Sequence, residues 1–448
     1  MNFTKNGEKL VIASALRTPI GQAAKSLSQF ESYDLGYMVI EELLTRHPFL
    51  KNKIDLLVAG EISQSSRAPN VARVLSVKSG LPLSAVAVTV ANNCVSGFEA
   101  IIEAARRVLL GESSVALAVG LESMSNMPLY LCNAQKNAKT ANLDKINKNW
   151  AEIPTLDDVK IVNSVDEGLV DPVRGANMAE TAEVVSQSLG LSKKNLDQYA
   201  WGSFSKSLKA IETGKYKPYI VPVKHNDGIL ENDEYIMSKT GFVEKPERFE
   251  KATGIFNMPP HTSLKSFYEK YEKWIGKSFT ENAEATVSLF NACPRSDGAG
   301  ALIVTTESKA RELGLPVQAI ISGWGNYGVD PIFMGLGIAY AMNQALVNTN
   351  KKWEDIDGFE IHEAFAATAL GSIVKVKQEW KFDLEKKLSE NKINPNGGTL
   401  ALGHPLGATG IRIAINQIMQ LEQTDAKQVM GAICAGGGVG GALILEKP

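Results

Sequence analysis

The sequence predicts a layered α/β fold, duplicated along the chain and broken by one large insertion. Three observations carry this. Strand-like and helix-like runs alternate through about the first 120 residues, the texture changes between 124 and 280, and the alternation then resumes in a second half that repeats the first. Alternation of this kind marks a sheet layered with helices.

In chain order, Lys9–Ala15 (KLVIASA) reads as a buried strand and Tyr33–Leu44 as a helix. Leu56–Glu61, Ala85–Val90 and Val115–Gly120 are further strands, with an Ala- and Leu-rich helix over Ser96–Gly111 between the last two. From 124 to 280 Lys, Asn, Glu and Tyr become frequent; Met178–Leu189 and Asn195–Thr213 have helical periodicity, and the rest reads as long connections. Connections that long are functional or separately folded, so this stretch is an inserted loop domain. Strands are expected again at Ala285–Val287, Ala299–Thr305 and Val317–Gly323, and a helix at Ile338–Val347. The expected division is 1–123 with 281–313, 124–280, and 314–448.

The repeat pairs Ile54–Ile62 and the turn Val88–Ile102 with Ile356–Phe365 and Asn394–Ile413. Two packed copies would bring equivalent strand-to-helix turns together, and helix N-termini there expose backbone N–H groups. A composite site is expected at that junction.

Composition narrows the function classes. The 448 residues are 44% hydrophobic and 21% charged, with 47 basic and 49 acidic side chains, an ordinary globular make-up of net charge -2. That balance points to neither a nucleic-acid nor a membrane partner. No apolar run reaches the roughly 20 residues of a membrane span and the N-terminus has no signal-peptide pattern, so a cytoplasmic protein is expected. Cys94, Cys132, Cys293 and Cys434 show no C-x-x-C spacing, and the five histidines no H-E-x-x-H spacing, so no metal site is expected.

Four segments carry chemistry. In N-N-C-V-S-G, Cys94 lies between a β-branched strand and a helix, where the helix dipole would lower a thiol's pKa. Alone it is equally compatible with a buried, inert cysteine. In G-G-T-L-A-L-G-H-P-L-G-A-T-G, His404 precedes a proline, which excludes helical geometry and projects the ring from the turn as a base or thiolate partner. A structural histidine is the alternative. C-A-G-G-G-V-G-G, Cys434–Gly441, is a Gly-rich turn able to aim several N–H groups at one oxygen; the strand after it argues against a dinucleotide loop. In H-E-A-F-A-A, His362 and Glu363 could orient water or a carbonyl, or simply start a helix. Together these supply a nucleophile, a base, a second thiol and an oxyanion-type loop, the parts of a covalent acyl-transfer site.

With these blocks, and with V-I-A-S-A-L-R-T-P-I-G, G-L-E-S-M-S-N-M-P, M-A-E-T-A-E and T-V-S-L-F-N…S-D-G-A, the chain resembles the thiolase family through most of its length. The resemblance implies the thiolase fold, with duplicated βαβαβαββ halves in an α-β-α-β-α arrangement and a loop domain that binds coenzyme A. It implies Cys94 as the acylated nucleophile, His404 as its base and Cys434 as the acid–base for the acetyl-CoA enolate. It implies backbone donors at Gly436 and Cys94 for one oxyanion hole, and His404 with a water held by the His362 turn for the other. Coenzyme A contacts are implied at Ser322, Gly323 and Met178. Coenzyme A and acyl-CoA are substrates, and no cofactor is implied. The implied assembly is a homodimer or dimer of dimers.

His362 stands where most family members have Asn, as in thiolase subunits of fatty-acid oxidation complexes. That suggests degradative cleavage of longer 3-ketoacyl-CoA and a hydratase/dehydrogenase partner subunit. The segment Cys293–Gly298 and Ala179 depart from the common pattern and bear on acyl-pocket shape. The alternatives are a biosynthetic acetyl-CoA acetyltransferase, a decarboxylating ketoacyl synthase, against which Cys434 argues, and a non-catalytic acyl-CoA-binding subunit.

Overall fold

The computed structural model describes residues 3–5, 7–132, 160–257 and 263–448. Of the expected insertion, 133–159 and 258–262 lie outside the described residues. The first half runs β1 (Glu8–Arg17), α1 (Ser32–Arg46), β2 (Leu56–Gly60), α2 (Val71–Lys78), β3 (Val86–Val90), α3 (Ser96–Leu110) and β4 (Val115–Ser123). The insertion contributes α4 (Met178–Leu189), α5 (Lys193–Glu212) and α6 (Leu264–Ile275). After β5 (Ser296–Thr306) come β6 (Ala319–Gly328), α7 (Gly337–Thr349), β7 (Gly358–Ile361), α8 (Ala366–Trp380), α9 (Thr399–Leu402), α10 (Thr409–Gln423), β8 (Gln428–Ala435) and β9 (Val439–Glu446).

These strands pair in the order β7-β8-β9-β6-β1-β5-β4-β2-β3. The halves are hydrogen-bonded to each other where Leu10, Val11 and Ile12 of β1 meet Ile321, Ile320 and Ala319 of β6. Strands β4 and β5 are buried along their whole length, because helices cover both faces, as near-continuous apolar runs require.

Small residues reveal the layering. Gly36 of α1 lies against Leu75 and Leu121 on the outer face of the first half. On the inner face, Gly300 of β5 leaves room for Ile411 of α10. In the second half the neighbours Gly440 and Gly441 face opposite ways, toward Gly337 of α7 and Val95 at the start of α3. Helices α3 and α10 therefore fill the middle of an α-β-α-β-α stack. In the second half the third strand of the repeat is reduced to one bridge, Phe359 to Ile393.

Helix α4 starts at a capping box, Asn177 with Glu180, and ends at Gly190 in the left-handed region. The insertion is tied to β1 by a buried bidentate pair, Arg17 to Asp233 at 2.7 and 2.8 Å. One expected strand is absent. At Ala285–Val287 the N–H groups of Thr286 and Val287 donate to the buried carboxylate of Glu183, at 2.9 and 2.8 Å, instead of to a neighbouring strand.

Candidate active site

The repeat does bring its turns together. The N-termini of α3 and α10 meet through glycine: a side chain on Gly97 would lie 2.7 Å from the Gly407 carbonyl, and one on Gly410 would strike the backbone of Phe98. Only glycine allows an approach this close, and it sets the Cys94 turn beside the His404 turn. Asn93, at φ 45°, makes the reversal after β3. The Ser96 hydroxyl fastens that reversal, accepting from Asn92 N at 2.8 Å and donating to the Asn93 carbonyl at 2.7 Å.

His404 projects from a turn begun by Gly403 at φ 113°. Its Nε2 is 3.2 Å from Cys94 Sγ and its Nδ1 is 2.7 Å from Thr409 Oγ1. The ring of His362, at the end of β7, lies 4.4 Å from it between centroids. His362 Nδ1 is 3.0 Å from Thr399 Oγ1, and its buried Nε2 has no protein partner.

Loss of solvation, not the helix dipole, governs the protonation states. Burial pushes the Cys94 thiol up to about 12, against hydrogen bonds from the N–H groups of Gly436 and of Cys94 itself. Burial, aided by the nearby positive charge of Arg412, lowers His404 to about 3. His362 is lowered too, by burial and then by His404 and Arg412. The lowering of the thiol pKa expected from the helix start is thus opposed by loss of solvation, which favours a neutral thiol beside a neutral imidazole.

A cavity of about 570 Å³ opens on Cys94. His404, Cys434, Gly436 and Met178 all line it. Cys434 is buried at the end of β8. Gly436 starts a turn continued by Gly437 and Gly438 at φ 83° and 77°. Asn93 Nδ2 donates to the Gly436 carbonyl at 2.8 Å, so the Cys94 turn holds the Gly-rich turn in place. A smaller cavity, about 170 Å³, also opens on Cys94 and leads toward Ile62, Met127 and Tyr130.

Ser322 and Gly323 are not brought to the site. They lie near the start of β6, opposite Ile444 on β9, and Ser322 faces a separate hollow with Phe3, Thr349 and Lys351. The site end of β6 is Tyr327–Gly328, beside Val439 and Gly440, roughly 15 Å further along an extended strand. Glu363 does not orient a reactant either. Its carboxylate is occupied by Tyr199 Oη at 3.0 Å, Ser203 Oγ at 2.6 Å, Asn394 Nδ2 at 2.8 Å and Leu400 N at 3.2 Å. It ties the turn after β7 to the insertion.

Cys293, which the sequence tied only to acyl-pocket shape, is a third thiol on the cavity wall, raised by burial and by Cys94. Sequence reasoning gave it no further role. It also overlooked Thr399, Thr409 and Arg412. Thr409 was visible in G-H-P-L-G-A-T-G; Arg412 carries no local signal, because its partners come from other elements. Among the described residues no group of three His, Cys, Asp or Glu could hold a metal ion, and no helix is long and apolar enough to cross a membrane.

This geometry has relatives. Residues 10–257 match the family model "Thiolase, N-terminal domain" and residues 315–447 match "Thiolase, C-terminal domain". A Staphylococcus aureus protein named "Probable acetyl-CoA acyltransferase" is 30% identical over 444 residues, 98% of this chain and 99% of that one. A Staphylococcus epidermidis protein of the same name is 31% identical over 440 residues, with the same coverage. Human mitochondrial 3-ketoacyl-CoA thiolase in complex with CoA superposes with a TM-score of 0.82 at 27% identity, covering 98% of each chain. Acetyl-CoA acetyltransferase from Syntrophomonas wolfei does so with 0.82 at 28% identity, covering 98% of this chain and 99% of that one. The chain belongs to the thiolase family of acyltransferases.

Proposed function

We propose that this enzyme cleaves 3-ketoacyl-CoA with coenzyme A, giving acetyl-CoA and a shortened acyl-CoA, through an acyl group carried on Cys94. The observation that carries the reading is the 3.2 Å contact between His404 Nε2 and Cys94 Sγ at the mouth of two cavities. His404 takes the thiol proton as sulfur attacks the keto carbon. The N–H groups of Gly436 and Cys94 receive the oxygen of the tetrahedral intermediate. The carbon–carbon bond then breaks, its electron pair leaving as the enolate of acetyl-CoA. The thiol of Cys434, held on the same wall, gives that carbon its proton. Coenzyme A enters next: its thiol gives its proton back to the Cys434 thiolate, its sulfur takes the acyl group from Cys94, and the Cys94 thiolate recovers its proton from His404. In this reading 1–123 with 281–313 and 314–448 supply the chemistry, and 124–280 holds coenzyme A, with Met178 on the wall.

Two cavities sharing one nucleophile suit two substrates that meet there. The larger holds the thioester arm beside Cys434, and the smaller, with Ile62, Met127 and Tyr130, takes an acyl chain longer than acetyl. That supports degradative over biosynthetic use. A homodimer is part of the reading: the sheet ends on β3, preceded by exposed Leu83 and beginning at exposed Val86, an edge that another copy can pair. Rates across 3-ketoacyl-CoA chain lengths test the degradative reading. A kcat/KM that rises beyond four carbons supports it; strict preference for acetoacetyl-CoA refutes it in favour of the acetyltransferase.

A further inference from the structure

Two imidazoles side by side can serve a reaction only if each presents the correct nitrogen, and hydrogen-bond accounting around them decides which. A threonine hydroxyl has one proton to give and two lone pairs to receive with; a guanidinium can only give. The Thr399 hydroxyl receives Arg412 Nη2 at 2.6 Å. Its other partner among the described residues is Nδ1 of His362 at 3.0 Å. Buried hydroxyl protons are paired, so Thr399 gives its proton to Nδ1, and the proton of the neutral His362 ring sits on Nε2, the buried nitrogen with no protein partner.

Around His404 the order is reversed. The Thr409 hydroxyl gives its proton to the Pro405 carbonyl at 2.8 Å. It can then only receive at the 2.7 Å contact with His404 Nδ1. The His404 proton is therefore on Nδ1, and Nε2 turns a lone pair toward the Cys94 thiol.

We infer that Thr409 and Arg412, the latter acting through Thr399, are positioning residues that hold two adjacent imidazoles in opposite tautomers, His404 as a proton acceptor for Cys94 and His362 as a hydrogen-bond donor to the enolate oxygen. The inference deepens the catalytic reading above and rests on it for the role of His404; the role of His362 is assigned here from its partnerless Nε2 and its place beside the His404 ring. Exchange of the tautomers would point an N–H at the sulfur that must lose its proton. It would also point a lone pair at the oxygen that must carry negative charge. Arg412 is 3% exposed and lies within α10, which also carries Thr409 at its first residue. One helix thus sets both rings.

The test labels histidine with nitrogen-15 in the full chain and reads long-range proton–nitrogen correlations, with His362→Asn and His404→Asn for assignment. The expected spectrum has His404 protonated at Nδ1 and His362 at Nε2. Thr399→Val releases the His362 tautomer and slows carbon–carbon cleavage about tenfold, while acetylation of Cys94 by acetyl-CoA, which forms no enolate, continues. Thr399→Ser restores both signals and cleavage. Thr409→Val does the converse, slowing acetylation and releasing His404. A wild-type His362 protonated at Nδ1 overturns the inference. So does equal loss of both half-reactions in Thr399→Val with no rescue by Ser, or no change in either. The tautomers are read without substrate, so a failure to acylate Cys94 would refute the catalytic reading without altering this result.

Discussion

His404 Nε2 stands 3.2 Å from Cys94 Sγ although 310 residues separate them, and burial favours the uncharged form of both groups. A thiolate–imidazolium pair would keep a permanent charge separation in an apolar cavity. In the mechanism proposed above, the charge develops only as the thiol attacks, when the N–H groups of Gly436 and Cys94 are in place to receive the oxygen.

The neutral thiol makes a direct prediction. Alkylation requires the thiolate, so inactivation by iodoacetamide should accelerate through pH 9 without levelling off, as a thiol pushed up to about 12 demands. Inactivation rates against pH check this. A plateau below pH 7 would reveal a preformed thiolate.

Loss of the base should be felt at the first step. His404→Ala is expected to slow acetylation of Cys94 by about 10²–10⁴-fold, the usual worth of a positioned general base. Rapid-quench measurement of the acetyl-enzyme provides the check, and a variant that acetylates at the wild-type rate would remove His404 from that role.

Asn93 should matter without touching substrate. Its amide holds the Gly436 carbonyl at 2.8 Å, and its backbone sits at φ 45°. Asn93→Gly keeps that backbone free of strain and deletes only the tether, worth on the order of 1 kcal/mol. A kcat loss of about tenfold or less with KM nearly unchanged is expected from steady-state kinetics; a change confined to KM would mean that the tether serves binding.

Stability should fall between pH 6.5 and 8. Burial raises Glu61 and Glu360 to about 8 and Glu122 to about 7, from 4.5 in the unfolded chain. Across this window the native state holds protons that the unfolded state has lost, so stability decreases as pH rises. The lowered histidines act in the opposite sense only below 6.5, where the unfolded imidazole charges. Tm against pH should show the decline, and Glu61→Gln should flatten it. A Tm that rises from 6.5 to 8 would contradict the protonated carboxylates.

Much of this was legible in the residues. The helix over Met178–Leu189 was read to its last residue from its periodicity, and Asn177, Glu180 and Gly190 close it in the structure. His404 and Cys434 stood out because each sits on a turn rich in glycine, and Cys94 because it lies between a strand and a helix. Other features depend on partners far away in the chain. Glu183 takes the N–H groups that would have made Ala285–Val287 a strand. The sign of the Cys94 shift depends on how thoroughly the cavity excludes water, and no local pattern encodes that. Arg412 reaches Thr399 and thereby His362 only after α9, α10 and β7 are packed. Ser322 and Gly323 failed for a simpler reason: they share a strand with the site but lie toward its far end.

In the proposed mechanism Cys94 carries the acyl group while Cys434 handles the proton, and one measurement addresses both halves. The full chain and its Cys434→Ser variant are incubated with acetyl-CoA, digested and mapped by mass spectrometry, with cleavage of 3-ketoacyl-CoA assayed in parallel. One acetyl group on Cys94 is expected in both proteins, and cleavage in the first alone. An adduct on Cys293 or Cys434, or none on Cys94, would contradict it.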